Sequence, residues 1–313
     1  MGDKSGIQWT DATWNPVTGC SKVSPGCAHC YAETLTKRYA KAWGVPGLPW
    51  TPANAEQNVI LKPERLDQPL RWTKPRMVFV NSMSDLFHEQ VPDEYIAQVF
   101  GMMAASPQHT FQVLTKRPER MRDLLASDYR EAFWSTVWET AAEHSKPGTA
   151  APVRLPDDNM MLTNVWLGTS IENRRFVHRA DLLRETPAAV RFISAEPLLG
   201  PLVHDDAAVV RTTGTADPRA IGHWSDNYVG SELDLSEIDW LIVGGESGPG
   251  HRPMQGRWVR DLRDACLGSD PMPVFPRGNR PAFFFKQWGG ATPKSGGREL
   301  DGRTWDEMPE VAR

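Results

Sequence analysis

The sequence predicts an α/β protein, a complete or partial TIM-like barrel of parallel strands with long loop insertions. Short runs of Val, Ile, Leu and Phe alternate with stretches of helical spacing, which is typical of parallel strands covered on both faces. The chain has 313 residues, enough for about six or seven such units around one core. We therefore interpret residues 1–313 as a single domain.

The apolar runs predict the strands in chain order. The first is expected around Trp14–Cys20, although WNPVTGC contains a proline and a glycine, and it leads into the helical sequence YAETLTKRYAKAW. Six more apolar runs follow, each ending in a polar or Gly-rich turn: Met77–Asn81, Thr110–Thr115, Leu162–Thr169, Val190–Ala195, Trp240–Val243 and Ala282–Lys286. Helical spacing is found near Glu94–Ala105, within KRPERMRDLL, from SIENRR through about Arg184, and near Arg257–Cys266.

Three polar, proline-containing stretches interrupt this alternation, near residues 44–69, 143–159 and 203–237. Loops of such length in a compact domain are usually lids or binding loops. We expect them to be insertions into the barrel.

The composition argues against several classes of protein. No apolar run approaches the roughly 20 residues that cross a membrane. The start, MGDKSGIQWT, lacks the basic-then-apolar pattern of a secretion signal, so we expect a cytoplasmic protein without a membrane partner. The net charge of −4 argues against a surface built mainly to bind nucleic acid, although it is compatible with a local basic groove.

Three of the four cysteines lie within eleven residues, in GCSKVSPGCAHCYAE. In a reducing compartment such a cluster binds metal or does redox chemistry more often than it forms disulfides. Cys27 and Cys30 can present both sulfurs to one metal centre, and Cys20 can complete a three-thiolate face. Three ligands leave one iron of a 4Fe-4S cluster open, whereas structural zinc normally needs four. The spacing favours iron–sulfur over zinc, and unligated thiols are the third alternative.

A zinc site would need His29 or Cys266 as its fourth ligand. His29 lies between Cys27 and Cys30, where the turn is expected to point it away from their shared metal. Cys266 ends a predicted helix, and in a βα unit that end returns to the opposite side of the barrel. We therefore expect Cys266 to be a small buried side chain.

The cysteine loop resembles that of radical S-adenosylmethionine enzymes, which carry three cysteines after the first barrel strand, usually spaced C-x3-C-x2-C. This chain keeps the second interval and lengthens the first to six residues. More narrowly, IQWTDATWNP, GCSKVSPGCAHCYAE, VGGESGPG and FFFKQWGG resemble an uncharacterised family of bacteriophage and prophage proteins.

The resemblance implies two cofactors, a 4Fe-4S cluster on Cys20, Cys27 and Cys30 and S-adenosyl-L-methionine. It implies an adenine contact at the residue before the third cysteine, which is His29 here. It also implies amino-group binding after the second strand and ribose binding after the fourth. The residues at those two positions are Ser82, Ser84 and Asp85, then Ser170, Glu172 and Asn173.

Polar side chains follow the other predicted strands as well, and chemistry in parallel barrels collects at these ends. We assign Glu196 to the cofactor. Lys116 and Arg117 can hold a phosphate or carboxylate of the substrate. Lys286 is a candidate proton donor or anion anchor, and a structural ion pair is the alternative. Glu246, in a GGES motif that resembles the amino-group motif but occurs later in the chain, is the second candidate catalytic residue.

The resemblance implies a radical S-adenosylmethionine enzyme that generates a 5′-deoxyadenosyl radical. A flavodoxin- or ferredoxin-type protein is the expected electron donor, and a nucleobase or nucleotide is the first candidate substrate. The alternative is a zinc-stabilised module that binds nucleic acid or protein without catalysis.

Overall fold

The computed structural model describes residues 5–126, 130–145, 160–203, 232–268 and 280–310. Its main element is a sheet of seven parallel strands curled into a half-barrel, in which each strand pairs with the next strand of the same sheet along the chain. The predicted partial barrel of parallel strands is confirmed. The strands are β1 (Ala12–Trp14), β2 (Val17–Thr18), β3 (Ile60–Leu61), β4 (Met77–Val80), β5 (Thr110–Thr115), β6 (Val165–Ser170), β7 (Val190–Ala195), β8 (Trp240–Gly244) and β9 (Ala282–Gln287).

The first predicted strand differs from the observed one, because the chain is interrupted at Pro16. Strand β1 begins at Ala12 and ends at Trp14. Since proline has no N–H for a strand ladder, the chain leaves the main sheet, and β2 pairs instead with β3 in an antiparallel ribbon. Strand β3 belongs to the predicted insertion 44–69, which therefore has structure of its own. The other two predicted insertions lie largely outside the described residues, which omit 146–159 and 204–231.

Helices connect the strands and cover the outer face of the sheet, where they bury one large apolar core. The apolar pattern predicts one helix between β5 and β6, but the chain forms two. The second packs on the helix Asp93–Ala104, where the Phe100 ring lies 5.5 Å from Phe133 and 6.5 Å from Trp134. None of the described helices is long and apolar enough to cross a membrane. The helices are α1 (Tyr31–Trp43), α2 (Ala55–Asn58), α3 (Asp93–Ala104), α4 (Pro118–Ala126), α5 (Arg130–His144), α6 (His178–Arg184) and α7 (Gly256–Leu267).

Aromatic side chains fill part of the concave face of the half-barrel. Trp9 packs edge-on against Phe79 of β4 and Trp240 of β8, with ring centres 4.9 and 5.8 Å apart. Trp240 in turn lies 6.0 Å from both Trp166 and Phe284. Trp9 and Phe79 also line the cavity described below. The aromatic cluster therefore forms a solid floor for that cavity and confines open space to one end of the half-barrel.

Candidate functional site

A cavity of about 1030 Å³ lies between the carboxyl ends of the parallel strands and the cysteine loop, residues 19–30. All three clustered cysteines line it, and so do all the other predicted site residues except Glu172 and Asn173. Ligands of parallel α/β proteins bind at this end of the sheet. The cavity is therefore the candidate functional site.

Two glycines let the cysteine loop approach the rest of the protein closely. Gly19, directly before Cys20, has a φ of +85°, and a Cβ there would lie 1.8 Å from the carbonyl oxygen of Asn58. Gly26 lies in the 3-10 turn Pro25–Cys27, where a Cβ would lie 2.5 Å from Oε1 of Glu172. A larger residue at either position would push a cysteine away from its place in the cavity wall.

The three clustered thiols are partly buried and close enough to affect one another. Burial raises the pKa of Cys20 to about 12, against the opposing effect of Arg117. Burial also raises the pKa of Cys30, although backbone N–H groups in the first turn of α1 oppose it. The Cys27 thiol adds a smaller upward contribution to the pKa of both neighbours. Cys20 and Cys30 therefore keep their protons at neutral pH until a metal displaces them.

A buried carboxylate holds the cysteine loop from behind. Glu172, which follows β6, is fully buried and accepts a hydrogen bond from Ser24 Oγ at 2.5 Å. It also pairs with Lys116 Nζ at 3.1 Å and with Arg179 Nη1 at 3.3 Å. Arg179 donates a further bond to the carbonyl of Ser170 at 2.7 Å. Glu172, the predicted ribose partner, thus lies behind the cavity wall, where it pairs with two cations.

Arg117 connects the cysteine loop to the ends of β4 and β5. It is 6% exposed, and its Nη1 lies 3.2 Å from Asp85 Oδ2 and 3.6 Å from the Cys20 sulfur. Its Nε donates to Glu89 at 3.0 Å. Burial alone would lower the pKa of Arg117, but Asp85, Cys20 and Glu89 together hold it above its usual range. A charged guanidinium is therefore fixed beside one of the predicted cluster ligands.

Asp85 accepts hydrogen bonds on both of its oxygens from within the protein. Oδ1 accepts from Thr115 Oγ1 at 2.7 Å and from the N–H of Phe87 at 3.0 Å. Oδ2 accepts from the N–H of Lys116 at 3.0 Å, in addition to Arg117. The carboxylate predicted to take the cofactor's amino group thus also orders the ends of β4 and β5.

Glu246 joins the loop after β8 to the cysteine loop. Its Oε2 lies 2.9 Å from His29 Nδ1 and accepts from the N–H and Nε of Arg252, each at 2.9 Å. Arg252 Nη2 also donates to the carbonyl of Pro25 at 3.0 Å. Burial would raise the pKa of Glu246, but its hydrogen bonds with Arg252 and His29 hold it at about 2. Glu246 is therefore ionised at neutral pH, which suits it to accept hydrogen bonds rather than donate a proton.

Lys286 of β9 and Glu196, which follows β7, form an ion pair in the cavity wall, with Nζ 3.0 Å from Oε1. The second carboxylate oxygen accepts from Ser194 Oγ at 3.2 Å. Gly244 leaves room for this carboxylate, since a Cβ there would lie 2.4 Å from Oε1. The Lys286 side chain is 26% exposed, so a ligand in the cavity can reach the ammonium group.

The remaining predicted residues differ in their access to the cavity. Ser82 and Ser84 line it and donate to oxygens of the β1–β2 segment at 3.2 and 2.9 Å. Ser170 lines it while almost completely buried. Asn173 instead caps the turn Arg174–Phe176, because its side chain accepts from a backbone N–H at 3.1 Å.

The side chains that line the cavity carry more positive than negative charge, in contrast to the net charge of −4 of the whole chain. The three carboxylates of the lining are all ion-paired within the described residues. They are Asp85, Glu196 and Glu246, against the seven cations Lys22, Lys62, Arg65, Lys116, Arg117, Lys286 and Lys294. Carboxylates outside the lining pair with three of the cations, Lys22, Arg65 and Lys116.

Across the described residues, no group of three or more His, Cys, Asp or Glu side chains is arranged to hold a metal ion. Cys266, in α7, is fully buried in the apolar core and is not part of the cavity wall. None of the four cysteines forms a disulfide.

Sequence reasoning missed the arginines that support the site. Arg179 and Arg252 lie seven and six residues beyond Glu172 and Glu246, outside the strand ends where polar residues were sought. The signal for Arg252 was an arginine in a Gly/Pro-rich loop, ESGPGHRP, where backbone carbonyls and a carboxylate lie within its reach. Nothing in the local sequence distinguishes Arg179 from a solvated helix residue.

The fold and the site together define a class: a parallel α/β half-barrel with a three-cysteine loop in the wall of its cavity. Residues 4–309 match the model of the family described as "Protein of unknown function (DUF5131)", so the chain belongs to that family. No curated protein and no solved structure matches the chain.

Proposed function

We propose that this protein is a radical S-adenosylmethionine enzyme. The observation that carries the proposal is the position of Cys20, Cys27 and Cys30, which all line one large cavity at the carboxyl ends of the parallel strands. A volume of about 1030 Å³ is at the upper end of typical ligand pockets and leaves room for a cluster, a cofactor and part of a substrate.

The donor set suits a cluster better than a single ion. Each thiolate of a 4Fe-4S cluster binds a different iron, so the three sulfurs need not converge on one point as the ligands of zinc must. When bound, the reduced cluster would supply the electron that cleaves S-adenosyl-L-methionine into methionine and a 5′-deoxyadenosyl radical, which takes a hydrogen atom from the substrate.

The chain's own residues would bind and orient the cofactor. Ser82, Ser84 and Ser170 offer hydroxyl groups in the cavity wall, and His29 offers a ring beside Cys30. The ionised Glu246 holds that ring through Nδ1. Lys286 offers an ammonium group to a carboxylate or phosphate. The aromatic floor excludes water from the opposite side of the cavity.

The substrate we propose is a nucleobase or nucleotide, supported by the positive cavity wall, and the electron donor a flavodoxin- or ferredoxin-type protein. Lys116, which lines the cavity, would contact the substrate. Arg117 also lines the cavity, but its guanidinium group is held against the Cys20 sulfur.

Anaerobic reconstitution with iron and sulfide tests the proposal directly. We expect a brown protein with about four irons per chain and cleavage of S-adenosyl-L-methionine after reduction with dithionite. Single Cys→Ser replacements at Cys20, Cys27 and Cys30 should abolish both, while Cys266→Ser, the matched control outside the cavity, should leave both intact. A colourless protein that binds about one zinc would refute the enzyme and support a zinc-stabilised binding module.

A further inference from the structure

The exposed large apolar side chains of the described residues all lie beside the candidate site. They are Val23 in the cysteine loop and Tyr31, Tyr39 and Trp43 on α1, and they are 40–55% exposed. Tyr39 and Trp43 are four positions apart and are therefore neighbours on the helix surface, while Tyr31 is the first residue of the same helix. Tyr31 and Trp43 also line the cavity, so this aromatic stripe leads directly to it.

The stripe is arranged for stacking. The rings of Tyr39 and Trp43 lie 5.4 Å apart with an angle of 31° between their planes, and the Arg38 guanidinium carbon is 5.4 Å from the centre of the Tyr39 ring. Exposed aromatic faces next to guanidinium groups are the usual platform for the bases of single-stranded nucleic acid, because every base has a face that can stack.

Positive charge continues from the stripe into the cavity. Lys62 and Lys294 line the wall, and neither forms an ion pair with any carboxylate of the described residues. Lys41 lies on α1 two residues before Trp43, likewise without such a pair. Unpaired ammonium groups in a cavity suit the phosphates of a bound nucleic-acid strand.

We infer that the aromatic stripe (Tyr31, Tyr39 and Trp43) together with Lys62 and Lys294 binds single-stranded nucleic acid and leads one nucleotide into the cavity. This inference rests on the proposed function, since it names the substrate class of that site. Duplex nucleic acid is a poorer match, because its bases already stack on one another and hide their faces.

Fluorescence anisotropy of the full chain with a labelled oligothymidylate tests this inference without any cluster being present. We expect tighter binding of the single strand than of a duplex of equal length. Tyr39→Ala/Trp43→Ala should weaken binding at least about fivefold, and Trp43→Phe should largely preserve it. Lys62→Ala/Lys294→Ala should lower the slope of log K against log salt by about 1.4, since each phosphate contact to a single strand contributes about 0.7.

Lys74→Ala is the matched charge control, an exposed lysine outside the cavity wall that should leave affinity and salt slope unchanged. The aromatic positions are surface residues, and circular dichroism checks that each variant is folded. Equal affinity of the wild-type chain and the Tyr39→Ala/Trp43→Ala variant would overturn the inference, and so would preferential binding of duplex or of anionic lipid vesicles. Iron content of the reconstituted protein, measured separately, reports on the proposed function alone.

Discussion

Removal of the Glu172 carboxylate should destabilise the fold by about 3 kcal/mol. Breaking a buried ion pair by deleting one partner costs about 3–5 kcal/mol, because a charge is left without compensation. In Glu172→Ala that charge is mainly Arg179, whose side chain is 4% exposed. Arg179 keeps its hydrogen bond to the Ser170 carbonyl and its contact with the Phe176 ring, whose centre is 4.3 Å away. The Lys116 side chain is 18% exposed, so its ammonium group can turn to solvent. The lower end of the range is therefore expected.

Equilibrium unfolding in urea measures this loss through the shift in transition midpoint at constant slope. Glu185→Ala is the matched control: it removes an exposed carboxylate 3.0 Å from Arg122, and should cost less than about 1 kcal/mol. The double variant Glu172→Ala/Arg179→Met removes both buried charges and should recover part of the loss. A cost below about 1 kcal/mol for Glu172→Ala, or a double variant as unstable as the sum of the single changes, would show that the buried charge is not what matters.

Three further outcomes are expected. Gly26→Ala should reduce iron incorporation, because its methyl group would meet the Glu172 carboxylate behind the cysteine loop. Gly6→Ala is the control, since a Cβ at Gly6 has no atom within 4 Å. Equal iron content in the two variants would contradict this prediction. Glu246 has a pKa of about 2, below its usual 4.5, so it contributes stability above pH 4.5 that is lost as the pH falls towards 2. This contribution to the free energy of unfolding is about 2–3 kcal/mol. The urea midpoints of the wild type and Glu246→Gln should therefore converge as the pH falls from 7 to 3. A difference in midpoint that stays constant over this range would refute the prediction. Arg117→Gln should lower the reduction potential of a cluster bound at Cys20, because a charged hydrogen bond to the sulfur is lost. A redox titration followed by electron paramagnetic resonance measures this potential, and an unchanged value would exclude the effect.

The sheet could be predicted from the sequence because each strand is a continuous apolar run, a pattern that depends only on burial of both faces. Met77–Val80 and Val190–Ala195 are found where the pattern places them. The position of β1 was missed because the strand has only three residues, Ala12–Trp14, and Pro16 interrupts the apolar pattern directly after it. The second helix after β5 was missed as well, although Phe133, Trp134, Val137 and Trp138 recur at helical spacing and the Trp134 and Trp138 rings stack 5.7 Å apart.

The residues of the candidate site could be predicted for a similar reason. Strand ends of a parallel sheet meet at one edge, so Ser82, Lys116 and Lys286 all reach the same cavity although they are far apart in the chain. Their partners could not be predicted, because side-chain pairing depends on three-dimensional distance. Glu172 follows the rule for strand ends and yet lies behind the wall, where Arg179 and Lys116 neutralise it.

The contacts of the cysteine loop span most of the chain. Ser24 bonds Glu172, 148 residues later, His29 bonds Glu246, 217 residues later, and Pro25 accepts from Arg252, 227 residues later. The thiols, though synthesised early, gain their final surroundings only when the last third of the protein has folded. We therefore expect insertion of the proposed cluster to follow completion of synthesis, and a nascent chain stalled before β8 to be unable to retain iron. Proteins that deliver iron and sulfide would then act on a folded half-barrel with an open cavity, not on a growing peptide.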